Sequence, residues 1–178
     1  MMSSMNLNSI RLWPGLLLFF CLSCGSNSKT VEEVRQPQGD RYTGLRQSLL
    51  TKHVSFLDSI PGLSGQFLEG GLMYYYSGFD CGSCVLKGIA SVKALKQLGQ
   101  KVEVVAFQAN VGQDQEYFDF KERIWVDKDD FLHDNFTFLP TPFFLSINAD
   151  RQVEDVYFPL NTGVNPDSAR FFTQFSTQ

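Results

Sequence analysis

Apolar and polar positions alternate along the chain in blocks whose period changes from helix to strand. From Tyr42 to Ile60 the apolar residues are Leu45, Leu49, Leu50, Val54, Leu57 and Ile60, the spacing of one helix face. Pro61-Gly62 stops that helix. Gln66–Leu68 reads as a short strand or a loop, and Gly71–Tyr76 is an unbroken apolar run with the length of a buried strand. Val85, Ile89, Val92, Leu95 and Leu98 then recur every three or four residues, with Lys87, Lys93 and Lys96 elsewhere on the surface, so the spacing predicts an amphipathic helix that Gly99 closes. Val102–Phe107 is β-branched and apolar, as a central strand is. Asn110–Asp119 is polar and reads as a loop or short helix, Arg123–Val126 as a short extended piece, and Asp129–Asp134 as a helical turn or two. Phe143–Asn148 is a third apolar strand. After a turn at Asn148–Arg151, Gln152–Tyr157 alternates as a half-buried strand, completing a hairpin. Asn165 as cap, Pro166 at the first helical position and Asp167 in the first turn start a last helix carrying Phe171, Phe172 and Phe175.

The N-terminal block follows a different logic. Arg11 precedes the apolar run Leu12–Leu22, which is too short to cross a bilayer, a task that takes about 20 apolar residues. A positive charge followed by a short apolar run is the layout of an export signal. It ends in Cys21-Leu22-Ser23-Cys24-Gly25, which resembles the lipobox of bacterial lipoproteins, although Cys21 stands where Leu is usual. The resemblance implies cleavage before Cys24 and lipidation of its sulfur, with acyl chains anchoring the protein to a membrane. The expected organisation is a signal peptide at 1–23, a flexible tether at 24–41 rich in Ser, Gln and charge, and one folded domain at 42–178. The folded part then lies on the periplasmic side of a bacterial membrane, where disulfides persist.

Composition narrows the classes. Seventeen Phe among 178 residues supply a sizeable core and argue against disorder. A net charge of −4 gives no basic face for nucleic acid, so none is expected as a partner.

The candidate chemistry is Cys81-Gly82-Ser83-Cys84, between the Gly71–Tyr76 strand and the following helix. A sulfur at a helix N-terminus meets unpaired backbone N–H groups and the positive end of the helix dipole, which favour a thiolate. Three readings stay open on the residues alone: a redox couple, a static disulfide, or part of a metal site. Zinc needs about four ligands. The other Cys-x-x-Cys, Cys21–Cys24, lies in the N-terminal targeting segment, and neither His53 nor His133 stands at helical spacing from another His or Cys, so no metal is assigned. Val85 follows Cys84 where c-type haem attachment requires His. A disulfide that closes so small a loop is a poor staple, because the stabilisation grows with loop length.

Strand, Cys-x-x-Cys, helix, strand, Thr141-Pro142, strand, turn, strand, helix is the order of thioredoxin. From about Gly71 to Phe175 the chain resembles the thioredoxin-like superfamily, in particular its exported, membrane-tethered thiol–disulfide oxidoreductases. The resemblance implies an α/β three-layer sandwich with a central mixed sheet, preceded by an N-terminal helix. It implies that Cys81 attacks a partner disulfide, that Cys84 resolves the mixed disulfide, and that Pro142 is cis and faces the sulfurs. Thr141, with Gly82 and Ser83, would contact the bound protein partner, and no cofactor is needed. Two positions depart from the family. Asp80 stands where Trp usually precedes the first cysteine, and a carboxylate there opposes a thiolate. Tyr75 occupies the place of a buried acid six residues before that cysteine. These departures keep a second function in view, a non-enzymatic binding lipoprotein of the same fold. A third is a copper-handling protein using Cys81, Cys84 and His133, since soft thiolates suit Cu(I).

Overall fold

The computed structural model describes residues 38–137, 139–159 and 166–175. Five strands form one mixed sheet in the order β3-β2-β1-β4-β5. The strands are β1 (Gly71–Ser77), β2 (Val102–Phe107), β3 (Ile124–Asp127), β4 (Phe143–Ile147) and β5 (Val153–Tyr157). β1 is central because the apolar run in its sequence leaves it no wet face: Leu72 to Ser77 are all buried. It runs parallel to β2, with Tyr74 opposite Val104, and antiparallel to β4, with Tyr75 opposite Phe143. β2 continues parallel to β3, and β4 antiparallel to β5, the hairpin expected from the alternation at 152–157.

The two-residue period of β1 divides the interior. Leu72, Tyr74 and Tyr76 face one layer, where α2 (Gly82–Gln97) and α5 (Pro166–Thr173) supply Val85, Ile89, Val92, Leu95 and Phe171. Met73 and Tyr75 face the other, where Leu49 of α1 (Gln38–Leu49), Phe56 and Leu57 and, from α4 (Phe131–Asn135), Leu132 close the core. Each such side chain taken fully out of water contributes roughly 1.5–3 kcal/mol. α2 lies close on β1 because Gly88 has no side chain: a Cβ there would collide with the Tyr74 ring, whose hydroxyl donates to the Val85 carbonyl at 3.3 Å. The three layers, with a helix ahead of the first strand, match the thioredoxin-like α/β architecture expected.

Three local expectations are corrected. The helix expected over 42–60 stops at Leu49. The Thr51 amide donates to Val153 O at 2.8 Å and the Val54 amide to Arg151 O at 2.8 Å, and His53 bridges Gln152. Thr51 takes a left-handed φ of 67° to make that turn. Pairing with the head of β5 therefore wins over helix continuation, while Val54, Leu57 and Ile60 still reach the core through a 3-10 turn at Ser55–Asp58. Gln66–Leu68 is neither strand nor loop throughout: Ser64–Phe67 is a 3-10 turn. Leu98, placed on the buried stripe, is 60% exposed, because α2 ends at Gln97 and the chain turns at Gly99. The stretch at Asn110–Asp119 holds a helix, α3 (Val111–Tyr117), capped by the Asn110 side chain on the Gln113 amide. The proposed cap at Asn165, the export signal and Cys24 lie outside the described residues.

Candidate active site

The end of β1 and the start of β4 lie at one edge of the sheet, because the two strands pair antiparallel with Tyr75 opposite Phe143. The same register brings the turn that follows β1, Gly78–Asp80, beside the Thr141-Pro142 peptide that precedes β4. That peptide is cis, and Pro142 is buried. α2 opens immediately after the turn. Its cap is Cys81, whose sulfur accepts the Cys84 amide at 3.3 Å and whose carbonyl accepts the Cys84 and Val85 amides at 2.8 and 3.1 Å. A cysteine thus stands where Ser, Asp or Asn usually caps, and its sulfur sits against the positive end of the helix.

Cys81 and Cys84 are joined as a disulfide, with Cα atoms 5.3 Å apart. That separation is ordinary for a disulfide. The two cysteines are unequal in exposure. Cys81 is exposed and Cys84 only partly so. Gly82 and Ser83 are exposed between them, and the Ser83 hydroxyl lies 3.3 Å from the Cys81 sulfur.

Asp80 ties the two halves of this edge together. One carboxylate oxygen accepts the Ser77 amide at 2.7 Å, and the other accepts the Thr141 hydroxyl at 2.7 Å. Burial pushes its carboxyl above the ordinary carboxylate range, against the pull of those two hydrogen bonds. A cavity of about 300 Å³ opens beside the turn, lined among others by Asp80, Gly82, Asp114, Tyr117 and Phe118. Tyr117 and Phe79 are 72% and 80% exposed, two large aromatic rings left in water at this edge.

The sequence pattern missed one acid. Tyr75 does occupy the place where the resemblance implies a buried carboxylate, but its hydroxyl donates to Asp127 Oδ2 at 3.0 Å, and Asp127 is fully buried. Burial first, then the charge of Asp127, hold the Tyr75 phenol neutral. Asp127 stands at the end of β3. Its oxygens also cap α4, accepting the Phe131 and Leu132 amides at 3.0 and 3.1 Å. Only the pairing of β3 across β2 brings it there, so no local signal could have found it.

His133 does not stand free as a ligand. One ring nitrogen bonds Asp130 and the other lies 3.2 Å from the Leu139 carbonyl. Among the described residues no group of three or more His, Cys, Asp or Glu could hold a metal ion.

The fold and the disulfide define a thioredoxin-like α/β domain with a Cys-x-x-Cys pair at the head of the helix after its central strand. No protein-family model matches the chain, and no curated protein does. Among solved structures it is similar to a secreted Mycobacterium tuberculosis disulfide oxidoreductase homologous to E. coli DsbE, at 13% identity and TM-score 0.48 over 65% of this chain and 87% of that one. It is also similar to StoA from Bacillus subtilis, at 13% identity and TM-score 0.46 over 71% and 94%. A third is the exposed lipoprotein thioredoxin of Streptococcus pneumoniae, at 14% identity and TM-score 0.43 over 62% and 86%.

Proposed function

We propose that this protein is a thiol–disulfide oxidoreductase that exchanges disulfides with protein partners through Cys81 and Cys84, held at the periplasmic side of a bacterial membrane by lipid on Cys24. One observation carries the reading: an exposed Cys81, bonded to a less exposed Cys84 at a helix N-terminus, shares its sheet edge with the cis Thr141-Pro142 peptide. The reaction has two steps. In the reduced protein the Cys81 thiolate attacks a partner disulfide, a Cys81–partner disulfide forms, and the partner's other sulfur leaves as a thiolate. Cys84 then loses its proton and attacks the Cys81 sulfur, and the partner's second sulfur leaves. Two electrons pass to the partner, two protons end on its thiols, and the Cys81–Cys84 disulfide remains. Run backwards, the same steps oxidise a partner dithiol. Thr141, Gly82 and Ser83 form the exposed or half-exposed rim that the partner chain would touch.

Reduction of a disulfide-bonded protein by the wild type and by Cys81→Ser tests the proposal. It requires the variant to lose essentially all turnover, and equal rates would end it. A second reading, a binding module whose disulfide is only structural, is favoured by Asp80, an anion beside the attacking sulfur. A redox titration separates the two, since structural disulfides have potentials below about −300 mV.

A further inference from the structure

Asp80 is an ionisable side chain at this edge that the exchange steps leave unused, and it is held on both sides. It reaches back to Ser77, the last residue of β1, and across 61 positions of sequence to Thr141. Ser77 is itself drawn into the turn, its hydroxyl accepting the Phe79 amide at 3.2 Å. The ion pairs among the described residues involve Asp58, Asp119, Glu122, Asp130 and Asp155, and none involves Asp80. A half-buried anion therefore sits one residue before the helix cap, with two neutral donors and no cation. A carboxylate withdrawn from water with no cation beside it is costly.

We propose that Asp80 is a positioning residue for disulfide exchange: its two hydrogen bonds fix the Thr141-Pro142 peptide against the Cys81 turn, and its charge disfavours the Cys81 thiolate, biasing the couple toward the disulfide. The proposal rests on the exchange reaction proposed above. The two effects come from the same carboxylate but from different properties of it. The tie needs acceptor oxygens facing Ser77 and Thr141. The bias needs the negative charge, which repels a thiolate at Cys81 and has no such partner once both sulfurs are neutral in the disulfide. An anion that penalises only the reduced form makes the protein a stronger reductant.

The surroundings reinforce the charge rather than cancel it. Tyr74 and Tyr75 of β1 both feel Asp80, and burial holds both phenols neutral, so neither adds charge at this edge. Asp114 of α3, which accepts the Tyr76 hydroxyl at 2.9 Å, lines the same cavity as Asp80 and adds a second negative group. Thr141 brings only a hydroxyl. Against them stand the helix N-terminus and the unpaired amides that favour a thiolate. The acidity of Cys81 is the balance of the two.

Four variants of the full chain separate the tie from the bias. Asp80→Asn keeps an oxygen for the Ser77 amide and an amide nitrogen for Thr141 Oγ1, and removes the charge. Asp80→Ala removes both. Thr141→Val breaks the tie and leaves the charge, and Thr141→Ser restores it. Three quantities are read: the pH profile of Cys81 alkylation by iodoacetamide, the equilibrium with glutathione at pH 7, and amide hydrogen exchange across 139–145. With Asp80→Asn the Cys81 thiol becomes about tenfold more acidic. The equilibrium moves toward the dithiol by up to tenfold, about 30 mV, and exchange across 139–145 stays at the wild-type rate. Thr141→Val raises that exchange rate about tenfold without making Cys81 more acidic, and Thr141→Ser returns it. Asp80→Ala does both. An Asp80→Asn protein with wild-type acidity and equilibrium overturns the bias. Wild-type exchange rates in both Thr141→Val and Asp80→Ala overturn the tie. All three readouts are taken without a protein partner, so they stand apart from the Cys81→Ser turnover assay, whose failure would remove the exchange reaction whichever way Asp80 behaves.

Discussion

Asp155, on the edge strand β5, and Asp80, just past the end of the central strand β1, both take a carboxylate out of water, and their surroundings then treat it differently. Asp155 is 4% exposed and is met from two helices. Arg46 of α1 reaches it at 2.6 Å, and Arg170 of α5 grips both oxygens at 2.6 and 3.3 Å. Burial pushes its carboxyl up, but the bonds to Arg170, Arg46 and the Val156 amide outweigh it and hold the group below the ordinary carboxylate range. Asp80 has burial as well, but only an amide and a hydroxyl against it, and it ends above that range. One acid is a clasp between the helical layers and the edge of the sheet. The other is left poised beside the cysteines. The presence or absence of a cation makes the difference, not the amount of burial.

The largest effect expected from this contrast is at the clasp. Asp155→Ala leaves two guanidinium groups without their shared partner and costs about 2–3 kcal/mol, less than a fully buried pair would because both arginines keep access to water. Urea unfolding measures it, and the reactivity of Cys81 stays unchanged because Asp155 contacts nothing at that edge. A cost within 0.5 kcal/mol, roughly the noise of surface substitutions, would make the clasp an idle surface contact.

Next comes the third buried acid. Tyr75→Phe leaves Asp127 with two backbone donors and no hydroxyl, a loss of about 1–2 kcal/mol in the same unfolding assay. It falls between the other two, as a neutral hydrogen bond to a buried charge should.

The smallest effect has the opposite sign. Asp80→Asn raises Tm at pH 7, because the folded state no longer holds a carboxylate that burial disfavours. An unchanged or lowered Tm would place Asp80 with Asp155 as a stabilising group.

The pH dependence sharpens the same contrast. Asp155 has its folded pKa lowered, so its contribution is full above the ordinary carboxylate range, near pH ~4, and is lost as the pH falls through the lower folded value. Asp80 has its folded pKa raised, so its contribution is full below that range and is lost as the pH rises through the raised value. Subtracting the stability profile of Asp155→Asn from wild type should therefore give a curve that climbs with pH. The corresponding curve for Asp80→Asn should descend. Parallel curves would contradict the assignment of opposite shifts.

Much of this arrangement was written locally in the chain. The run at Gly71–Tyr76, the β-branched Val102–Phe107 and the alternation before Tyr157 each announce a strand, because a buried strand needs only its own side chains to declare itself. The cysteine turn and Thr141-Pro142 were equally visible. What could not be read depends on partners far away in sequence. The helix through Tyr42–Ile60 breaks because 51–54 finds backbone partners at 151–153. Arg46 and Asp155 are 109 positions apart, and the Asp80–Thr141 bond spans 61. The sequence pattern placed Asp80 beside Cys81 but could not show what its oxygens hold. Asp127 was invisible because β3 delivers it to Tyr75 across β2.

The central claim is that Cys81 is the sulfur that meets a partner and Cys84 the one that releases it. Incubating Cys84→Ala with a disulfide-bonded protein and taking the intact mass tests it most directly. A stable adduct, with its disulfide mapped to Cys81 and absent from the Cys81→Ala, Cys84→Ala double variant, is the result this account predicts. An unmodified Cys84→Ala protein, after conditions in which the wild type turns over, would contradict it.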